Sequence, residues 1–265
     1  MKDTLPRKPS KSQLKLWGNL DTAEARSREG ILLAEGFKVV GELLKSAWEV
    51  RALLVMDEKR DRWGAFLSGL PERREVYNLT AAQWRKLSQD KNPEGIMAVV
   101  ALSRPAPISD LPASGHALFA YRINNPNNLG ALLRSAHWFG FGAVVISAGS
   151  VDFTNPKVVR SSMGSIFHLT VIPDVDFAGV LPEIRKRYFL IASQADEGIM
   201  PHPCTSDTAL LLGSESHGLP DSLLGLAGEK WRIPGTGGAE SLSLPQAAAI
   251  MMYECAKGRI TNSVP

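Results

Sequence analysis

From Ala117 to Ala256 short apolar runs alternate with helix-like stretches, and three of the five runs end on or directly before a glycine or serine. Ala117 to Tyr121, Ala143 to Ser147, Tyr188 to Ala192, Ala209 to Gly213 and Trp231 to Ile233 are short and carry little polar alternation, so they predict strands covered on both faces. Between them, Leu129 to Phe139, stopped by Gly140 and Gly142, and Leu244 to Ala256, rich in Ala and Met, predict helices. Strands separated by helices make an α/β fold with a mainly parallel sheet. Such sheets place ligands where a strand gives way to the next helix.

The upstream part alternates on a smaller scale. Ile31 to Ala34, Val50 to Met56 and Ile96 to Leu102 predict strands; Lys38 to Ser46 and Ala81 to Leu87 predict helices. Between the two parts, Arg104 to Gly115 carries Pro105, Pro107, Pro112 and Gly115 and reads as a linker. The expected organisation is therefore a basic flexible arm over residues 1–20, a small α/β domain over 21–103, a linker over 104–115 and a larger α/β domain over 116–262.

Composition narrows the class. The chain has 265 residues, 44% of them hydrophobic, enough for a buried core. No apolar run is long enough to cross a membrane and Met1 to Gly18 has no apolar signal core, so the expected compartment is the cytoplasm. Cys204 and Cys255 are the only cysteines, too few for a disulfide framework, and His202 with Cys204 supplies two ligands where a zinc site needs more; no metal is expected. Residues 1–105 hold 19 Lys and Arg against 14 Asp and Glu, a net +5, whereas the remainder is −2. Five basic groups fall in the first sixteen residues (Lys2, Arg7, Lys8, Lys11 and Lys15), so a polyanionic partner is expected on the upstream half.

Three segments carry chemistry. In the first, an apolar strand stops among Asn124, Asn125, Pro126, Asn127 and Asn128, and a helix begins near Leu129. A helix start offers free backbone N–H groups to an anion, and Arg134, one turn in, offers a planar fork to a phosphate. The plainer reading is that Asn127 or Asn128 caps the helix and Arg134 pairs with a surface acid. In the second, Gly213-Ser214-Glu215-Ser216-His217-Gly218 drops a carboxylate into a glycine-flanked turn after a buried strand, where it can cap backbone N–H groups, hold a ribose hydroxyl or stay solvated. In the third, Gly235, Gly237, Gly238, Glu240, Ser241, Leu242 and Ser243 precede a helix with Pro245 in its first turn.

Together the three segments resemble the SpoU (TrmH-like) family of RNA ribose 2′-O-methyltransferases. The first family motif is matched at Asn128, Leu129, Gly130, Arg134, Ser135 and Ala136, and the second at Gly213, Glu215, Gly218 and Leu219. The third is matched at Ile233, Pro234, Gly237, Glu240, Ser241 and Leu242. Asn155 to Arg160 with Met163-Gly164-Ser165 resembles the family's text between motifs. Leu33-Ala34-Glu35-Gly36 and Pro93-Glu94-Gly95-Ile96 resemble its small RNA-binding domain. The resemblance implies a trefoil-knotted methyltransferase domain preceded by a domain similar to ribosomal proteins L30e/L7Ae, S-adenosylmethionine as cofactor, a homodimer, and structured RNA as substrate, ribosomal more than transfer RNA.

It further implies that Asn128, Arg134, Glu215 and Ser241 form the catalytic neighbourhood, and that Leu212, Gly213, Gly218, Ile233, Leu242 and Ser243 hold the cofactor. Two positions depart from the family: Gly235 stands where Met is usual and Ser243 where Asn is usual. They leave open an altered substrate geometry, and Ser243 alone supports the alternative of a non-catalytic RNA-binding dimer that keeps cofactor affinity and assists ribosome assembly. A nucleotide-binding oxidoreductase has little support, because neither a G-x-G-x-x-G turn nor a P-loop is present.

Overall fold

The computed structural model describes residues 7–70, 75–88, 90–239 and 241–260. Lys2 of the basic arm and Glu240 of the third segment lie outside the described residues. In chain order the elements are α1 (Lys11–Gly18), α2 (Ala23–Glu29), β1 (Ile31–Glu35), α3 (Phe37–Leu44), β2 (Val50–Met56), α4 (Arg60–Ser68), β3 (Glu75–Leu79), α5 (Ala81–Trp84) and β4 (Ile96–Ala101). After them come β5 (His116–Ala120), α6 (Pro126–Trp138), β6 (Phe141–Ser147), α7 (Pro156–Ser161), β7 (Thr170–Val175), α8 (Phe177–Ile184), β8 (Phe189–Ser193), β9 (Thr208–Leu212), α9 (Asp221–Leu224), β10 (Glu229–Trp231) and α10 (Leu244–Ile260).

They form two compact units. The first takes the described residues up to Arg104 together with Thr154–Phe167. Its sheet has the order β1-β4-β2-β3, with β4 antiparallel to both neighbours and β3 parallel to β2. One face packs Leu33, Leu54, Met97 and Val99 against Trp17, Leu20 and Trp84. The expectation of a flexible arm fails from Arg7 onward. The backbone of Arg7 exchanges hydrogen bonds with Val76 and Asn78 beside β3, and Ser10 with Gln13 closes a capping box on α1, whose Trp17 is buried. Burial of an indole outweighs the repulsion of a few solvated lysines. The segment from Thr154 is held in this unit by buried Arg26, which donates from Nε to Thr154 Oγ1 (2.8 Å) and from NH1 to the Leu20 carbonyl (2.8 Å).

The second unit, Pro105–Phe153 with the chain from His168, carries a six-stranded sheet of order β10-β8-β9-β5-β6-β7 in which every pairing is parallel. Side chains alternate across the strands. Ala117, Phe119, Val145, Leu190 and Leu211 meet Phe177 and Leu181 of α8 and Leu223 of α9. Leu118, Val144 and Leu210, all buried, belong to the opposite face, where α6 contacts β6, α10 contacts β9 and the two helices pack together. Each fully buried Leu contributes about 1.5–3 kcal/mol.

Two boundaries that bear on the motif segments differ from the sequence reading. The helix expected from Leu129 starts at Pro126, because proline at the first helical position sacrifices no hydrogen bond and Asn125, not Asn127 or Asn128, caps it. Arg134 is therefore more than two turns into α6 and away from the anion-binding start. The strand expected at Trp231 to Ile233 is Glu229–Trp231, and Ile233 falls in the loop beyond it. Among the described residues no helix is long and apolar enough to cross a membrane.

Candidate active site

The site grows from the adjacent carboxyl ends of β5 and β9. The Tyr121 N–H donates to the Leu212 carbonyl (2.8 Å), so the two chains leave the sheet side by side. Arg122 then takes a left-handed conformation, φ 49°, unusual for a side chain of its size. The end of β6 and the loop after it hold it there: Ser147 Oγ accepts from the Arg122 N–H (2.8 Å) and Ser150 Oγ from the Ile123 N–H (3.1 Å). This bend turns the chain into Asn125, whose side chain accepts from the Asn127 N–H (2.9 Å) and sets the first turn of α6. Asn128 sits in that turn, half-buried, above buried Leu129 and Gly130.

From β9 the chain makes a tighter reversal. Ser214 and Gly218 bridge in antiparallel fashion, the Gly218 N–H donates to the Ser214 carbonyl (3.0 Å), and Gly218 is left-handed at φ 62°. The returning strand passes so close that a Cβ on Gly213 would lie 2.1 Å from the Gly218 carbonyl carbon. Only glycine fits. The loop lifts Glu215 out to solvent, and Asn128 Nδ2 donates to its carboxylate. Two residues 87 positions apart are thereby joined, one from each strand exit.

The third segment is organised differently. Gly235, Gly237 and Gly238 are exposed, and nothing lies within 4 Å of where their Cβ atoms would be. Ser241 and Leu242 are also exposed, Leu242 to 46%. Order returns at Ser243. Its carbonyl accepts from the Ala247 N–H (3.0 Å), its Oγ donates to Gln246 Oε1 (3.0 Å), and the same Oε1 accepts from its N–H (3.3 Å). Ser243 is thus the N-cap residue of α10, a place where Ser and Asn serve about equally. Its departure from the family's Asn has a local structural reason. Gly235 leaves room that a larger side chain could occupy.

The structure therefore brings Asn128 and Glu215 together, with Leu212, Gly213 and Gly218 forming the turn beneath. Arg134 is exposed and its side chain has no hydrogen-bond or ion-pair partner among the described residues; Ile233, Ser241 and Leu242 lie in the glycine loop. Sequence reading missed Arg122, Ser147 and Ser150, which aim the first segment; the signal was present only as one serine ending a strand and another three residues on. Backbone groups at the β9 turn, half-buried Ile233 and exposed Leu242 are groups able to hold a cofactor with an apolar ring and a polar edge. Among the described residues no group of three or more His, Cys, Asp or Glu is placed to hold a metal ion.

Comparison with known proteins bears on the chain as a whole. The pattern of the SpoU rRNA Methylase family matches residues 115–253, and that of the MRM3-like substrate binding domain matches residues 11–98. Over 244 residues the chain is 30% identical to the 23S rRNA (guanosine(2553)-2'-O)-methyltransferase RlmP of Bacillus subtilis, covering 91% of this chain and 94% of that protein. It is 26% identical over 242 residues to the 23S rRNA (guanosine-2'-O-)-methyltransferase RlmB of Pectobacterium atrosepticum, covering 83% and 99%. The crystal structure of the SpoU methyltransferase AviRb from Streptomyces viridochromogenes in complex with AdoMet superposes with a TM-score of 0.80 at 25% identity, over 95% of this chain and 99% of that one. With the pattern matching more than half the chain and the relatives aligned along almost all of it, this chain belongs to the SpoU rRNA Methylase family.

Proposed function

We propose that this chain, an S-adenosylmethionine-dependent RNA 2′-O-methyltransferase by family, acts on ribosomal RNA as a cytoplasmic homodimer, with Asn128, Arg134, Glu215 and Ser241 as its reacting neighbourhood. The Asn128 to Glu215 hydrogen bond carries this reading. It fixes an amide whose Oδ1 remains an acceptor for a ribose hydroxyl and a carboxylate with lone pairs to spare, at the strand exits where α/β sheets hold ligands. Bound S-adenosylmethionine supplies the activated methyl group. The chain's part is to bind and align: Leu212, Gly213 and Gly218 offer backbone groups, while Ile233, Leu242 and Ser243 border the loop that covers the adenosyl moiety. Holding a hydroxyl within about 3–3.5 Å of its target in line is worth several kcal/mol of barrier.

Arg134 acts as a cation. A guanidinium keeps its protons, so it holds a phosphate of the RNA and stabilises negative charge growing on the ribose oxygen. On α6 it shares a stripe with Trp138, four residues on and 82% exposed, and lies on a different side from Asn128. Trp138, Ile250 and Tyr253 leave apolar surface uncovered on α6 and α10, which pack together. This uncovered surface supports the dimeric reading, and a second copy seated on it would set Arg134 at the edge of the contact.

The test is transfer of labelled methyl from S-adenosylmethionine to ribosomal RNA from cells lacking the protein, followed by digestion to nucleosides. The expected product is one 2′-O-methyl nucleoside, reduced about 100-fold or more by Arg134→Ala with unfolding unchanged. RNA binding without any methylated product would overturn the reading in favour of a non-catalytic binder.

A further inference from the structure

Within the first unit a cavity of about 260 Å³ opens between the β1 end of the sheet, the turn after α5 and the start of α7. Its floor holds a carboxylate. Glu35, half-buried at the end of β1, accepts from Ser88 Oγ (2.7 Å to each oxygen) and from Trp84 Nε1 (3.2 Å). A carboxylate has about four acceptor sites, and one hydroxyl proton and one indole N–H leave two of them unused. Burial raises its pKa above the ordinary value against the opposing effect of those two hydrogen bonds, as expected of a carboxylate with little water and too few donors.

The rim is mainly of opposite sign, although exposed Asp21 also lines it. Arg85, Lys86 and Lys157 line the cavity, are exposed, and have no described side-chain partner; Arg160, also lining it, reaches Asp90 at 3.4 Å. Trp17 and Leu33 supply apolar wall. An anionic acceptor at the bottom, cations at the mouth and an aromatic wall suit one kind of ligand: a base with N–H donors on its edge, attached to phosphates. A small-molecule anion would meet Glu35 with repulsion, and an amine would meet an entrance where Arg85, Lys86, Lys157 and the Asp90-paired Arg160 outnumber Asp21. A structural role for Glu35, tying β1 to α5, accounts for Ser88 and Trp84 but not for the cavity or the unpaired cations.

We propose that this cavity is a nucleotide pocket that takes one unstacked guanosine of the RNA, Glu35 accepting from its N1–H and N2–H₂ while Arg85, Lys86 and Lys157 hold the flanking phosphates. Guanine is the base that presents two adjacent donors on one edge to a bidentate acceptor, and single-stranded RNA is read by splaying such bases out. The inference rests on RNA being the substrate of this chain, and it concerns a site apart from the Asn128 and Glu215 frame.

The experiment measures anisotropy of fluorescein-labelled uridine heptamers with the full chain and no cofactor, the central residue being guanosine, inosine or uridine. Inosine keeps N1–H and lacks the N2 amine. Expected is binding of the guanosine heptamer about tenfold tighter than uridine, with inosine between them. Glu35→Gln abolishes the preference by replacing one acceptor with a donor. Lys157→Ala weakens all three about equally and lowers the salt slope by about one. Equal affinity for guanosine and uridine in the native chain, or a preference that survives Glu35→Gln in a variant of unchanged thermal stability, overturns the pocket. Should Glu35→Gln unfold the chain, an unchanged salt slope for Lys157→Ala overturns it instead. Methyl transfer to ribosomal RNA is read separately: transfer without guanosine preference removes the pocket and leaves the function, whereas preference without transfer does the reverse.

Discussion

The first two motif segments and the third meet the same demand by opposite means. Around Asn128 and Glu215 the backbone is tied down: Tyr121 to Leu212, Arg122 to Ser147, Gly218 to Ser214 and Asn128 to Glu215 are hydrogen-bonded, and Gly213 is glycine because another strand occupies its Cβ position. Between Arg232 and Ser243 the glycines have open space around them and Leu242 faces solvent. Rigid positioning belongs where reacting groups must be aligned to fractions of an ångström. Open glycine chain belongs where a ligand must enter before it is covered. The glycines of the two regions look alike in sequence and have unrelated causes.

The sharpest way to break this contrast is Gly213→Ala. A methyl group 2.1–2.5 Å from the backbone of Gly218 and Leu219 cannot be relieved by a side-chain rotation, so the loop must open and the bridge between Ser214 and Gly218 is lost. Destabilisation of about 4 kcal/mol or more is expected in urea unfolding, with loss of methyl transfer. A variant within about 1 kcal/mol of the native chain would show that the frame is soft.

The rigid frame stands on β5, and that strand has a weak point at its other end. His116, 2% exposed, has no hydrogen-bond partner for either ring nitrogen among the described residues. Burial, and then the positive charge of Arg259 on α10, lower its pKa to about 4, with Asp207 before β9 opposing. Unfolded, the ring binds its proton near pH 6.5. Above that value both states are neutral and stability is unaffected; below it the unfolded chain gains a proton that the folded chain refuses, so stability falls as pH drops from about 6.5 to about 4. The full loss is about 3 kcal/mol at most. His116→Leu should flatten the difference between urea midpoints measured at pH 7.5 and pH 4.5. An equally steep dependence in the variant would place the acid sensitivity elsewhere.

How much could be read from the residues alone follows the same division. β5, β6, β8 and β9 were legible because a strand buried on both faces writes itself as an apolar run. β3, with Glu75 and Asn78, and β7, with Pro173 and Asp174, were not: each is an edge strand whose apolar run is broken by polar residues or proline, of which Glu75 and Asp174 meet solvent. The start of α6 was misplaced by three residues because four asparagines compete as caps and only the geometry at Arg122 selects Asn125. α1 was read as a tail since its lysines are conspicuous and its single buried Trp17 is not. At the site, residue types were legible segment by segment. The pairing of Asn128 with Glu215 was not, since it depends on β5 and β9 being neighbours in the sheet.

That pairing gives a smaller and cleaner test. Asn128→Ala, Glu215→Ala and the double variant form a cycle in which the coupling isolates the hydrogen bond. Both groups are reached by water, so about 1 kcal/mol of coupling in unfolding free energy is expected, at the low end for a bond to a charged group. Additive effects within about 0.3 kcal/mol would mean that the two strand exits are held by the Tyr121 to Leu212 bond without help from the side chains.

Gly237→Ala probes the open side of the contrast, where the smallest change in stability is expected. Its Cβ meets nothing within 4 Å and its backbone is not left-handed, so the folded chain accepts the methyl group without strain. Loss of freedom in the unfolded chain then leaves stability unchanged or raised by up to about 1 kcal/mol. The effect belongs to ligand binding instead. If the loop must bend at its glycines to cover the adenosyl moiety, an alanine there costs about 0.5–1 kcal/mol, a two- to fivefold weaker affinity for S-adenosylmethionine by calorimetry. A variant that is destabilised as strongly as Gly213→Ala would show that the third segment is held no less firmly than the first two, and the division between aligned frame and closing loop would not hold.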